Sequence, residues 1–231
     1  MNTFDSAFFN ELAKLDALVK LNEYDSILMP PSDGFRLRVS ELHAAGRISD
    51  AFAGLARDFV AMLAERSNGR YRFEKDFRVF PHRVYSYSQG RSGRKQLHVG
   101  FDAYPPSVIF PHPWGVSIGL GFDFRNAHGI ITECVDEYEA FYEKVFVEPE
   151  LFDATFGSLG GYAEPTGAFK GAVTAEKVWQ TEVNILQNWL FFGRRLTPDD
   201  IAAFGTLEGF VDECIQVFDA ICEAGYFLIE R

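Results

Sequence analysis

Two runs of strand periodicity stand close together near the middle of this chain, and no helix-length segment separates them. In residues 96–104, Leu97, Val99, Phe101 and Ala103 alternate with His98 and Asp102. In residues 115–124, Val116, Ile118, Leu120, Phe122 and Phe124 alternate with Gly115, Ser117, Gly119, Gly121 and Asp123. A period of two sends successive side chains to opposite faces of a strand. Parallel neighbours need a crossover of about a dozen residues or more. Here ten residues, 105–114, join the runs, and they include Pro105-Pro106 and Pro111-His112-Pro113. An antiparallel meander is therefore expected. Residues 84–89 and 107–110 are shorter candidate strands, and Gly90-Arg91-Ser92-Gly93 suits a hairpin turn.

The flanks read as helical. Phe4, Phe8, Leu12, Leu15 and Val19 recur at spacings of 4, 4, 3 and 4. A short helix is expected over residues 36–45. A longer one carries Phe52, Leu55, Phe59, Val60 and Leu63, starting at Ser49 or Asp50 and stopping at Ser67-Asn68-Gly69. From Tyr71 the period changes to two. Beyond residue 130, Thr132 precedes a run with Val135, Tyr138, Phe141, Tyr142 and Val145; residues 148–165 carry no clear period, and residues 157–161 read as a loop. Residues 183–192 suit a further strand or a helix, and Trp189, Phe191 and Phe192 favour the strand. Thr197-Pro198-Asp199-Asp200 is a helix start: a capping hydroxyl, proline at the first helical position and two carboxylates at the positive end of the dipole. The last helix begins at Thr206 and repeats Leu207, Phe210, Val211, Cys214, Phe218, Ile221 and Cys222 up to Gly225.

These readings combine into an α+β fold, an antiparallel sheet over about residues 71–124, with 183–192 as an additional strand, flanked by N-terminal and C-terminal helices. One domain is expected over residues 1–231: helical in 1–67, strand-rich in 71–124 and mainly helical in 130–231. The 24 Phe, 9 Tyr and 3 Trp residues imply either a core built of rings or a surplus of rings for an interface. Cys134, Cys214 and Cys222 form no CxxC pair, so zinc and dithiol chemistry are not indicated. On helix faces they read as buried free thiols, which places the protein in a reducing compartment. Residues 1–30 lack the basic start and apolar run of a signal peptide, and no stretch approaches 18 apolar residues. A cytoplasmic location without membrane association is expected.

Charge supplies the candidate sites. Over residues 70–95 eight cations (Arg70, Arg72, Lys75, Arg78, Arg83, Arg91, Arg94, Lys95) meet only Glu74 and Asp76, inside a chain of net charge −11. A hairpin carrying Arg83, Tyr85 and Tyr87, with Arg91, Arg94 and Lys95 at its tip, has the residues to position phosphates and stack bases. The same cations would serve equally as counterparts of the chain's own acidic helices or as guards of a sheet edge. Net negative charge disfavours nucleic acid. From residue 130 onward 19 acidic residues stand against 6 basic ones. Glu133, Asp136, Glu137, Glu139 and Glu143 make up much of one helix's polar side. That face is either a solubilising surface or a site that attracts a basic protein by long-range steering.

Ser117, Gly119 and Gly121, with Gly115 and Asp123, leave a flat strand floor that a helix or a ligand could approach closely. His82, His98, His112 and His128, with Asp102, Asp123 and Glu133, match no metal-ligand spacing, and a histidine with a backbone hydrogen bond is the simpler fate of each. Ser158 lacks a nucleophile-elbow setting. No catalytic residue, metal or cofactor is expected. The leading expectation is a non-enzymatic binding protein whose acidic helical face engages a basic protein, an electrostatic character shared by analogy with inhibitor and immunity proteins. The alternatives are a nucleic-acid-binding or nucleic-acid-acting protein using residues 70–95, and a small-molecule or metal enzyme on the glycine-rich strand 115–123.

Overall fold

A computed structural model describes residues 4–21, 38–80, 83–89, 95–103, 114–124, 134–164, 169, 172–181 and 189–228. Among the described residues there are eight helices: α1 (Ser6–Leu21), α2 (Val39–Ala44), α3 (Asp50–Arg66), α4 (Cys134–Val147), α5 (Pro149–Ser158), α6 (Ala175–Gln180), α7 (Pro198–Ala203) and α8 (Leu207–Glu223). Six strands, β1 (Arg78–Phe80), β2 (Arg83–Gln89), β3 (Lys95–Ala103), β4 (Trp114–Asp123), β5 (Tyr162–Glu164) and β6 (Trp189–Leu196), form one antiparallel sheet. Its order is β1-β2-β3-β4-β6-β5, so the meander is extended at β4 by two later strands. The fold is α+β.

The strand boundaries correct the sequence reading in two places. Pairing begins at Arg78, not at Tyr71. Tyr71, Phe73 and Phe77 alternate because their rings are buried along a segment outside any strand, where the Ser67 hydroxyl donates to the carbonyls of Ala64 (2.7 Å) and Tyr71 (3.2 Å). At the other end, β6 runs on to Leu196. Gly193, Arg194 and Arg195 break the apolar pattern there, but Gly193 pairs with Tyr162 and the strand continues. Residues 104–113 and 182–188, which include the 107–110 candidate, lie outside the described residues, as do the turn at 90–93 and Thr132.

Local signals account for the helix ends. The Ser49 hydroxyl accepts a hydrogen bond from the Phe52 amide (3.1 Å) while Ser49 itself donates to the Glu11 carboxylate. Left-handed Asn68 (φ 48°) and Gly69 (φ 74°) then follow α3. Thr197 and Asp200 form a reciprocal capping box at α7. Residues 157 and 158, read from sequence as loop, are the last residues of α5, which stops at left-handed Gly160 and Gly161.

The chain divides into two compact units. The first comprises Met1–Tyr87, Val99–Ser117 and Leu196–Ile215, and the second Ser88–His98, Ile118–Arg195 and Gln216–Arg231. In the first, Phe4, Phe8, Phe59, Phe77 and Phe210 surround Phe101 with centroid separations of 4.3–6.1 Å. In the second, Phe122, Phe141, Phe152 and Phe156 gather on Phe192 from β4, α4 and α5 at 5.0–6.5 Å. Most described aromatics are spent on these two cores, each ring contributing about 2–3 kcal/mol by burial.

A charged clamp closes the first unit. Arg38, at the start of α2, and Arg78 on β1 both donate to the Glu74 carboxylate, at 2.6 and 2.7 Å. Burial opposes ionisation of Glu74, but the two guanidinium groups outweigh it and hold the carboxyl at about 2. A depressed carboxyl contributes stability above its unfolded pKa and loses it as pH falls through the folded value. Glu74→Gln should therefore lower Tm at pH 7 by about 4–8 °C, corresponding to about 2 kcal/mol. The gap to the unaltered protein should shrink from pH 4.5 toward pH 2, as followed by circular dichroism melts.

Candidate functional site

Residues 70–95 contain the cations read as a phosphate grip; of those described, Arg78, Arg83 and Lys95 are turned onto the chain's own carboxylates, while Arg70, Arg72 and Lys75 are exposed. Arg83 pairs with Asp102, whose side chain is completely buried, while Arg83 is only 13% exposed. Ser117 Oγ lies 3.4 Å from the other Asp102 oxygen, so β2, β3 and β4 each place one member of this cluster in the sheet. Lys95 lies against α4, its ammonium 3.7 Å from Glu137 and 5.9 Å from the centre of the Phe122 ring. Burial draws its pKa down, and the Glu137 carboxylate opposes that shift. Arg91, Arg94, His82, His112, His128 and Glu133 lie outside the described residues; Tyr85 and Tyr87 stand on β2, and their side chains are not described.

The glycine floor is closed by the sheet itself. A methyl group on Gly119 would stand 2.7 Å from Gly193 Cα and nearer still to the Phe192 carbonyl oxygen, so β4 and β6 touch backbone to backbone. One on Gly121 would meet the Trp189 indole, with Cζ2 at 2.7 Å. His98, on the neighbouring strand, packs its ring against Trp189 (5.3 Å) and Phe191 (5.5 Å). Asp123 is half-buried at the end of β4. Among the described residues, Gln96 Oε1 and Trp189 Nε1 are buried without a hydrogen-bond partner, and no group of three His, Cys, Asp or Glu side chains could hold a metal ion.

The three thiols differ in burial. Cys134 and Cys214 are buried, whereas Cys222 is only partly so, which corrects the expectation of three buried thiols. Burial pushes the Cys134 thiol up to about 12, so it remains protonated at neutral pH. No helix among the described residues is long and apolar enough to cross a membrane.

The outer face of α4 combines exposed carboxylates with exposed apolar side chains. Its inner face is Cys134, Tyr138, Phe141 and Val145, packed toward Phe122 and Phe192. The opposite stripe carries Asp136, Glu139 and Glu143, all exposed, at spacings of three and four residues. Glu137 is diverted to Lys95. The same stripe continues into Phe146 and Val147, which are 65% and 74% exposed. Leu151, one turn into α5, is 37% exposed. Sequence reasoning found the carboxylates and missed the rings and aliphatics. The signal was nevertheless present, since Phe146 and Val147 fall off the 134/138/141/145 apolar series.

No family model, curated protein or solved structure matches this chain.

Two stability contrasts follow from this geometry. Gly119→Ala places a methyl against fixed backbone and should cost about 1–3 kcal/mol, whereas Gly157→Ala, with open space in the last turn of α5, should gain about 0.4–1 kcal/mol. Urea titrations of the two variants provide the check. Arg83→Met should cost about 3 kcal/mol by leaving the Asp102 carboxylate without its guanidinium, and Arg83→Met with Asp102→Leu should recover most of that loss. A neutral single variant would mean that Arg83 is not an internal strut.

Proposed function

We propose that this is a non-enzymatic cytoplasmic binding protein that uses the outer face of α4 to engage a basic protein, in the manner of an inhibitor or immunity protein. The observation that carries the reading is the exposed stripe of Asp136, Glu139 and Glu143, three carboxylates on one helix face that make no ion pair with a described residue. A single-sign stripe within a net-negative protein accelerates encounter with a cationic partner and rejects anionic ones. The pairing of Arg83 with Asp102 and of Lys95 with Glu137 supports the same reading. Cations committed to internal carboxylates have little left for phosphate.

The test is a charge reversal that spares the structural carboxylate. Asp136→Lys, Glu139→Lys and Glu143→Lys are combined, leaving Glu137 to hold Lys95. A partner is isolated by affinity capture from the source cells, and its association with each form is measured by stopped flow over a range of salt. The triple variant should associate about 10- to 100-fold more slowly at low salt and lose most of the salt dependence. An unchanged rate and slope would remove α4 as the binding face.

A further inference from the structure

Helices α4, α5 and α6 pack pairwise against one another, and Phe146, Val147 and Leu151, three of the four exposed large apolar residues among those described, lie at the end of α4 and the start of α5. The Phe146 ring lies 5.5 Å from the Trp179 ring of α6 at 62°, edge to face, so the exposed phenylalanine is braced from below by a partly buried indole. Trp179 Nε1 is itself buried without a hydrogen-bond partner among the described residues. Val147 and Leu151 extend the apolar surface onto the start of α5. Charge around this corner is one-sided. Residues 134–158 and 175–180 carry Asp136, Glu137, Glu139, Glu143, Glu148, Glu150, Asp153 and Glu176 against Lys144 and Lys177. Lys144 is half-buried, paired with Glu148 and 5.3 Å from the Tyr226 ring.

Carboxylates attract any cation, but they do not explain a phenylalanine and a valine left in water at the end of their stripe. Large apolar side chains flanked by charge of one sign mark an interaction surface. The axial distance from Asp136 to Val147 is about 16 Å, eleven residues at the helical rise, or three turns of a facing helix. Resting on the proposed binding role of α4, we infer that the partner presents a basic amphipathic helix. Its cations lie along Asp136, Glu139 and Glu143, and a large apolar side chain near one end seats on Phe146, Val147 and Leu151 over Trp179. This is helix-in-groove recognition, with the rings as anchor and the carboxylates as guide. A flexible basic tail would satisfy the carboxylates and leave the apolar end bare.

Three synthetic peptides of equal length serve as probes against the intact protein: a Lys/Leu amphipathic helix, the same peptide with every Leu changed to Gln, and a Glu/Leu amphipathic helix. Binding is followed by Trp emission, to which Trp179 contributes, and by the chemical shifts of a ¹⁵N-labelled sample. The Lys/Leu peptide should bind at least about 10-fold more tightly than its Gln form, and the Glu/Leu peptide should not bind. Phe146→Ser with Val147→Ser alters only exposed side chains. It should reduce Lys/Leu binding to the level of the Gln form while keeping the salt dependence. Equal binding of the two basic peptides, or no effect of the Phe146/Val147 variant, overturns the apolar anchor while leaving the acidic face intact. Loss of all peptide binding together with an inert α4 charge reversal overturns the underlying reading instead. Sedimentation of the peptide-free protein gives the last outcome. A dimer that Phe146→Ser with Val147→Ser returns to monomer would assign the patch to a second copy and reject the inference.

Discussion

The contact on which the second unit depends is the approach of β4 to β6 at Gly119 and Gly193. Without a side chain at either position the two backbones meet, and a single methyl would push Gly119 into the Phe192 carbonyl. That approach seats Phe192 at the centre of the ring cluster made by Phe141, Phe152 and Phe156. Those three rings fix α4 and α5, and α4 in turn directs Asp136, Glu139, Glu143, Phe146 and Val147 outward. Glycine is costly in a strand interior, by about 0.5–1 kcal/mol per residue. Here the offset is the close strand contact and the Trp189 ring lying over Gly121.

Electrostatics is organised by burial rather than by segment. In one dimension the cationic stretch at 70–95 reads as a positive surface; in three, Arg78 and Arg38 share Glu74, Arg83 meets Asp102, and Lys95 meets Glu137. Arg78 meets Glu74 four residues away along the chain, whereas the other pairs join residues distant in sequence, and each draws a carboxylate out of the surface charge. What remains outside on α4 is negative. The binding role proposed for that helix follows from this subtraction more than from the net charge of the chain.

The parts of the fold legible in advance were those set by neighbours in sequence. The Thr197 cap, the left-handed stop at Asn68-Gly69 and the presence of strands β3 and β4 rest on local chemistry, and all three appear in the structure, although both faces of β3 and β4 are buried. The errors arose where a long-range contact overrode a local pattern. Alternation at Tyr71, Phe73 and Phe77 came from burial outside a strand, and β6 runs on through Arg194 and Arg195, past the residues that pair with β5. The candidate site divided in the same way. Its carboxylates could be read from residue type and helical spacing, but Glu137 could not be told from Glu139 until Lys95 was seen against it.

The sequence by itself determined the class of fold, the caps and stops of its main helices, the antiparallel sense of the meander and the amphipathic character of α4, because each is governed by spacing and backbone preference over a few residues. Tertiary structure alone decided whether Arg83 and Lys95 are neutralised and what covers the glycine floor. Those outcomes depend on distances between residues far apart in the chain, and no local period encodes such distances.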